Sequence, residues 1–108
     1  MELREYLDEM GRSPFAAWFN DLDATTAARI QTVLVRIEDG NLSNVKGVGS
    51  GVLEQRIDFG PGYRIYFGRD GDTLIILLGG GTKRRQSRDI DDAKTRWDEY
   101  KKRKRENR

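Results

Sequence analysis

Five cations dominate the chemistry open to this chain: Arg56 and Arg64, on either side of a Gly60-Pro61-Gly62 turn, and Lys83-Arg84-Arg85, consecutive after a glycine run. Guanidinium groups grip phosphate oxygens two at a time and stabilise the negative charge that develops on them during transfer. If the segments flanking the turn are paired strands, Arg56 and Arg64 share one outward face, and the three later cations reach the same groove from the end of the next strand. Tyr66 lies on that face too and offers a ring on which an unstacked base can rest. The bland alternative is a set of exposed salt bridges, Arg64 with Asp58 across the strands and Arg56 with Glu54 or Glu38, which contribute little.

What is missing narrows the chemistry further. There is no histidine and no cysteine, which removes the commonest general base, the commonest metal ligand and any thiolate site. Zinc chemistry and triad hydrolysis are excluded, and no ligand cluster points to a metal or to another cofactor. Gly79-Gly80-Gly81 ahead of Lys83 is not a phosphate loop, because Thr82 separates glycine from lysine where that motif needs Gly-Lys-Ser/Thr. These glycines are expected to let the chain bend sharply out of a strand.

These side chains need a scaffold, and the chain holds enough apolar material for one: 108 residues, 36% of them hydrophobic, predict a single domain over 1–108 with one core. The net charge of +2 conceals a gradient, since residues 1–81 carry 8 Lys/Arg against 12 Asp/Glu and residues 82–108 carry 12 against 6. A basic end favours polyanions, and it is also a common solubility device. No stretch approaches the roughly 18 apolar residues of a membrane span, and MELREYLDEM lacks a signal-peptide pattern, so the expectation is a cytoplasmic protein without membrane contact.

Alternation near Met1–Glu9 suits a short edge strand that ends at Gly11. Ser13-Pro14 reads as a helix start, with Phe15, Trp18, Phe19 and Leu22 on one face; Asp23 caps a second helix carrying Ile30, Val33, Leu34 and Ile37 and ending at Gly40. Residues 40–51, GNLSNVKGVGSG, predict a mobile loop. From Val52 the period becomes two: Leu53, Ile57 and Phe59 face the core with Tyr63, Ile65 and Phe67 of the returning strand, while Arg64 and Tyr66 face outward. The predicted register sets Arg56 opposite Tyr66 and Asp58 opposite Arg64, a one-residue slip being excluded because it would bury the arginines. Asp70-Gly71 predicts another turn, Thr73–Leu78 a central strand covered on both faces, and Asp89 the cap of a last helix with Ile90, Ala93, Trp97 and Tyr100 on one side. Residues 101–108 are expected to fray.

In this order the helical hairpin, GVLEQRIDFGPGYRIYF and LIILLGGGTKRRQSRDIDDA resemble the RelE/ParE toxin superfamily, in its HigB-like, phage-derived addiction-module killer branch. The resemblance runs from Phe15-x-x-Trp18 to Trp97; its most specific parts are Glu54-x-Arg56, Gly60-Pro61-Gly62-Tyr63-Arg64, and Lys83-Arg84 with Gln86 before Asp89-Ile90. It implies an α+β, RelE-like fold: an N-terminal helical hairpin on a twisted antiparallel sheet of about four strands, with a C-terminal helix. It also implies the toxin of a type II toxin–antitoxin module, an mRNA interferase acting usually on translating ribosomes. Its partner would be a cognate antitoxin with a DNA-binding domain, through which alone operator DNA is reached.

In that chemistry the ribose 2′-hydroxyl attacks the adjacent phosphate in line, and Arg56, Arg64 and Arg84 match by position the basic residues that RelE-like enzymes set on the scissile phosphate. Tyr66, Lys83, Arg85 and Gln86 fall where RNA would lie. Glu54 stands where such enzymes carry a second lysine, and Ile90 where they carry a tyrosine; Glu54 is the candidate base for the 2′-hydroxyl or, alternatively, a salt-bridge partner. Two other functions fit the same residues: a ParE-like, non-catalytic inhibitor of DNA gyrase, and a non-toxic nucleic-acid-binding domain working mainly through its basic tail.

Overall fold

Two side-chain oxygens start the N-terminal helices. In the computed structural model, which describes residues 1–107, Ser13 Oγ accepts the Ala16 amide at 3.0 Å and Asp23 Oδ1 the Thr26 amide at 2.7 Å. Each satisfies a first-turn amide for which the helix has no carbonyl. The bonds from Thr26 also hold the Asp23 carboxyl below its ordinary range. Helix α1 is Pro14–Asn20 and α2 is Ala24–Glu38, and the chain leaves α2 through Gly40 at φ +82°, a left-handed conformation that glycine adopts without strain.

The strands are β1 (Glu2–Glu5), β2 (Val45–Gly49), β3 (Val52–Ile57), β4 (Tyr63–Asp70) and β5 (Leu74–Thr82); a 3-10 turn over Lys83–Arg85 leads into α3 (Gln86–Glu106). They form one sheet in the order β1-β5-β4-β3-β2, with β1 parallel to β5 and every other pair antiparallel. The chain is therefore α+β, as its sequence predicts, but the sheet has five strands and is mixed rather than four and antiparallel. The additional strand, β2, lies inside the segment expected to be a mobile loop. It pairs Val45 with Gln55 and Lys46 with Glu54 before a bulge between Gly47 and Gly49.

Both faces of the sheet are covered. Ile57, Ile65, Phe67, Ile75 and Leu77 pack against Phe15, Ile30, Val33 and Ile37 of the helical hairpin. On the opposite face Val52, Tyr66, Ile76 and Leu78 pack against Ala93 and Trp97 of α3. Burying a residue such as Ile76 or Leu78 on that face stabilises the fold by roughly 1.5–3 kcal/mol, so α3 is an integral layer. The strand faces read as outward lie in large part beneath it.

Anchors on other elements keep α3 helical beyond residue 101, where fraying was expected. The Tyr100 hydroxyl donates to Asp70 Oδ2 at 2.7 Å, Lys104 pairs with the same carboxylate, and Arg103 bonds both Glu99 and the Leu7 carbonyl. Lys104, and then Tyr100, hold the Asp70 carboxyl below its usual range. Burial, and then Asp70, push the Tyr100 phenol up to about 12. Residue 108, the last of the tail, lies outside the described residues.

The three glycines do not turn the chain out of the strand, because β5 continues through them to Thr82, although its pairing with β4 is irregular at Leu78, between Leu77 opposite Phe67 and Gly79 opposite Tyr66. They make room instead. A Cβ at Gly80 would stand 2.3 Å from the Trp18 ring, and one at Gly81 would stand 1.9 Å from Asp89 Oδ2. Among the described residues no helix is long and apolar enough to cross a membrane.

Candidate functional site

The register of the β3–β4 hairpin decides which functional side chains meet. Arg56 pairs with Arg64 and Glu54 with Tyr66, two residues away from the predicted pairing of Arg56 with Tyr66 and Asp58 with Arg64. Asp58 and Phe59 leave the ladder to build the turn: the Phe59 amide donates to the Ile57 carbonyl and the Gly62 amide to the Phe59 carbonyl, each at 3.0 Å. A shift of two keeps every side chain on its face. It does change the neighbours, bringing Glu54 alongside Tyr66 and within reach of Arg64.

Glu54, Tyr66 and Arg64 are 0%, 1% and 5% exposed. The Gln86 amide, at the start of α3, donates to Glu54 Oε2 at 2.9 Å. Arg64 Nε lies 3.9 Å from that same oxygen, and Lys46 Nζ lies 3.6 Å from Oε1. The Arg64 guanidinium ends beside the turn, where a Cβ at Gly62 would stand 3.4 Å from its Nη1 and 3.5 Å from the Lys83 β-carbon. The Lys83 amide closes this corner by donating to the Gly62 carbonyl at 3.0 Å.

Among the described residues, the buried side-chain polar atoms without a hydrogen-bond partner are Glu54 Oε1, Arg64 Nε, Tyr66 Oη and Asp89 Oδ2. Such atoms are few in folded proteins, and leaving one unsatisfied costs about 1–3 kcal/mol. Here they belong to one neighbourhood. Burial, then the charge of Glu54, then that of Asp89 push the Tyr66 phenol far above its ordinary value; the hydroxyl lies near Glu54 without forming a well-aligned bond to it. Burial likewise raises the Asp89 carboxyl, against the pull of Arg85.

Above this cluster runs an exposed rim. Lys83, Arg84 and Arg85 occupy the 3-10 turn with their side chains in solvent, and Arg56, its side chain 51% exposed, stands 3.8 Å from Asp58. Pairing of Arg56 with Arg64, and of Arg64 with Gly81, sets these groups in a row across β3, β4 and β5 at one end of the sheet. Of the cations expected in one groove, Arg56 and the 83–85 triplet share the surface while Arg64 is enclosed behind them.

Several expectations are corrected by this geometry. Tyr66 is buried and offers no open ring for a base. Arg64 approaches Glu54, not Asp58, whereas Asp58 partners Arg56. Asp89 is not the cap of α3: Arg85 occupies that position without a side-chain cap bond, and Asp89 sits in the first helical turn. Glu54 does not reach solvent, because Gln86 covers it. Lys46 is a member that the sequence did not suggest, lying in a segment without alternation. Among the described residues no group of three or more His, Cys, Asp or Glu is placed to hold a metal ion.

No protein-family model matches the chain. Over 81 residues it is 41% identical to an uncharacterized protein of Haemophilus influenzae, a match covering 74% of this chain and 82% of that protein.

Proposed function

We propose that this chain, which belongs to the same family as that Haemophilus influenzae protein, is the toxin of a type II toxin–antitoxin module and an mRNA interferase of the RelE/ParE type, in its HigB-like branch. The observation that carries this reading is the set of unpartnered buried atoms of Glu54, Arg64, Tyr66 and Asp89 directly beneath a row of exposed cations. A site of that composition fits a phosphodiester: acceptors and donors inside, positive charge at the mouth.

In the reaction the 2′-oxygen of a ribose attacks the adjacent phosphorus, and the bond from phosphorus to the 5′-oxygen breaks. Arg56 and Arg84 hold the non-bridging oxygens from the rim, and Arg64 takes the charge that accumulates on them as the transition state forms. Lys83 and Arg85 grip the neighbouring phosphates and fix the strand in line. The incoming ribose hydroxyl displaces the Gln86 amide from Glu54, which accepts its proton; water at the open rim protonates the departing 5′-oxygen. Tyr66 and Asp89 form the dry back wall that keeps Glu54 and Arg64 poised. The messenger is met on translating ribosomes, and a cognate antitoxin with a DNA-binding domain silences the site and carries the pair to operator DNA.

The test is induction of the wild type, Glu54→Gln, Arg64→Ala and Arg84→Ala in a host lacking the antitoxin, with RNA 5′ ends and plasmid supercoiling followed together. New message ends in the wild type that vanish in the variants are expected. Growth arrest with intact messages and altered supercoiling would make the protein a gyrase inhibitor, and harmless induction would remove the toxin reading altogether.

A further inference from the structure

One concavity of the molecule lies away from Glu54. It is a groove of about 710 Å³ where α2 faces the beginning of β2 and the end of β3. Its floor includes Val33 and Ile57, and its walls bring together Arg29, Arg36, Lys46 and Arg56. Asp58 is the one carboxylate in that lining, and it stands beside Arg56. Arg29 and Arg36 are exposed and make no ion pair among the described residues.

These two arginines are spaced to lie on one side of α2, with Thr32 and Val33 between them in the same wall. Arg29 is pre-set: its guanidinium lies 4.5 Å from the Phe59 ring centroid, and that ring stacks in turn on Tyr63 at 6.4 Å. A guanidinium seated over an aromatic ring is held in place by it while its N–H donors remain available to a phosphate. The groove also touches the candidate site through shared side chains, because Arg56 lines it and Lys46, another wall residue, approaches Glu54 at 3.6 Å.

We propose that this groove seats single-stranded RNA flanking the cleaved bond, with Arg29 and Arg36 taking successive backbone phosphates and the Arg29–Phe59–Tyr63 stack supporting a base. The occupant rests on the ribonuclease reading; the charge and shape of the groove do not. Two uncompensated cations in a concave, partly apolar channel that shares Arg56 with the candidate site match a strand that must continue past the scissile phosphate. An acidic peptide would meet the same charges but has no use for continuity with the buried cluster, so RNA is the favoured occupant.

The test uses the full chain and a fluorescent, 2′-O-methylated RNA of about twelve nucleotides, which cannot undergo 2′-attack, titrated by anisotropy over a range of salt. Arg29→Gln/Arg36→Gln is expected to weaken binding about tenfold or more and to reduce the slope of log affinity against log salt by roughly 1.4, at about 0.7 for each single-strand phosphate that is no longer neutralised. Arg12→Gln/Arg105→Gln, which removes the same charge elsewhere, is expected to change the slope little, and circular dichroism checks that all the proteins fold. Equal affinity and slope for the wild type and the groove variant overturn the proposal. So does loss of binding to an oligoglutamate peptide with RNA binding unchanged, which would make the occupant an acidic protein segment. Mapping of message 5′ ends after induction in a host lacking the antitoxin separates the two proposals: no new ends with the wild type, with groove-dependent binding intact, removes the ribonuclease reading alone, whereas new ends with groove-independent binding remove this inference alone.

Discussion

The Gln86 side-chain amide donates to Glu54 Oε2 at 2.9 Å, joining the first turn of α3 to the middle of β3 across 32 residues of chain. Glu54 is fully buried, and its approaches to Arg64 and Lys46 are long, so this is its one well-formed hydrogen bond from a side chain among the described residues. Gln86→Leu is expected to cost about 1–3 kcal/mol by leaving a buried carboxylate oxygen without its donor. Urea denaturation should show a lower midpoint with an unchanged slope, and an unshifted midpoint would mean that the bond is dispensable.

Tyr66 offers a sharper contrast. Its hydroxyl is buried without a partner while its ring fills the space beneath α3. Tyr66→Phe should therefore gain about 1 kcal/mol, because a polar group held away from water is removed. Tyr66→Ala should lose about 3–5 kcal/mol through the cavity it leaves. The same urea series measures both, and a destabilised Phe variant would show that the hydroxyl is satisfied in solution.

Asp89 makes a prediction in pH. Burial raises its carboxyl above the ordinary 3.8, so the folded chain binds this proton more tightly than the unfolded chain does. Its contribution to stability is then most favourable below 3.8 and declines as pH rises through the elevated folded value. Asp89→Asn has no such proton to lose. Relative to this variant the wild type should melt progressively lower as pH is raised from acid to neutral, a trend visible in scanning fluorimetry; parallel profiles would show that Asp89 does not titrate abnormally.

Gly80→Ala should destabilise by about 1–3 kcal/mol through overpacking, since the new methyl would fall 2.3 Å from the Trp18 ring. Combining it with Trp18→Leu should restore part of the loss, and the double-mutant cycle reads the coupling directly. Strictly additive effects would disprove the contact.

How much of this was legible in the sequence follows from the kind of signal each element carries. Ser13, Asp23 and the apolar stripes of α1 and α2 are local signals, and the helices begin where those residues say. Alternation in β3 and β4 assigned side chains to the correct faces, but parity cannot distinguish two registers that differ by two residues. That choice lies with the turn, where Asp58 and Phe59 leave the ladder. VKGVG in β2 has no apolar alternation, because an edge strand is held by its backbone pairing to β3. Of the candidate site, the exposed Arg56 and Lys83–Arg85 were legible as charge. The burial of Glu54, Arg64 and Tyr66 was not, since it depends on where α3 docks, and that docking relies on distant partners such as Asp70 and the Leu7 carbonyl. Asp89 could be read as a cap by its type, but its closeness to Gly81 carries no local signature.

The parallel pairing of β1 with β5, Glu2 beside Leu74 through Glu5 beside Leu77, imposes an order on biosynthesis. Of the five strands, the one translated first waits for the one translated last. A chain interrupted before residue 74 has no neighbour for β1, and one interrupted before Gln86 has neither an amide over Glu54 nor a helix over Tyr66. Truncated products are thereby denied the assembled cluster, and whatever chemistry it performs is reserved for molecules whose synthesis has passed through the third helix.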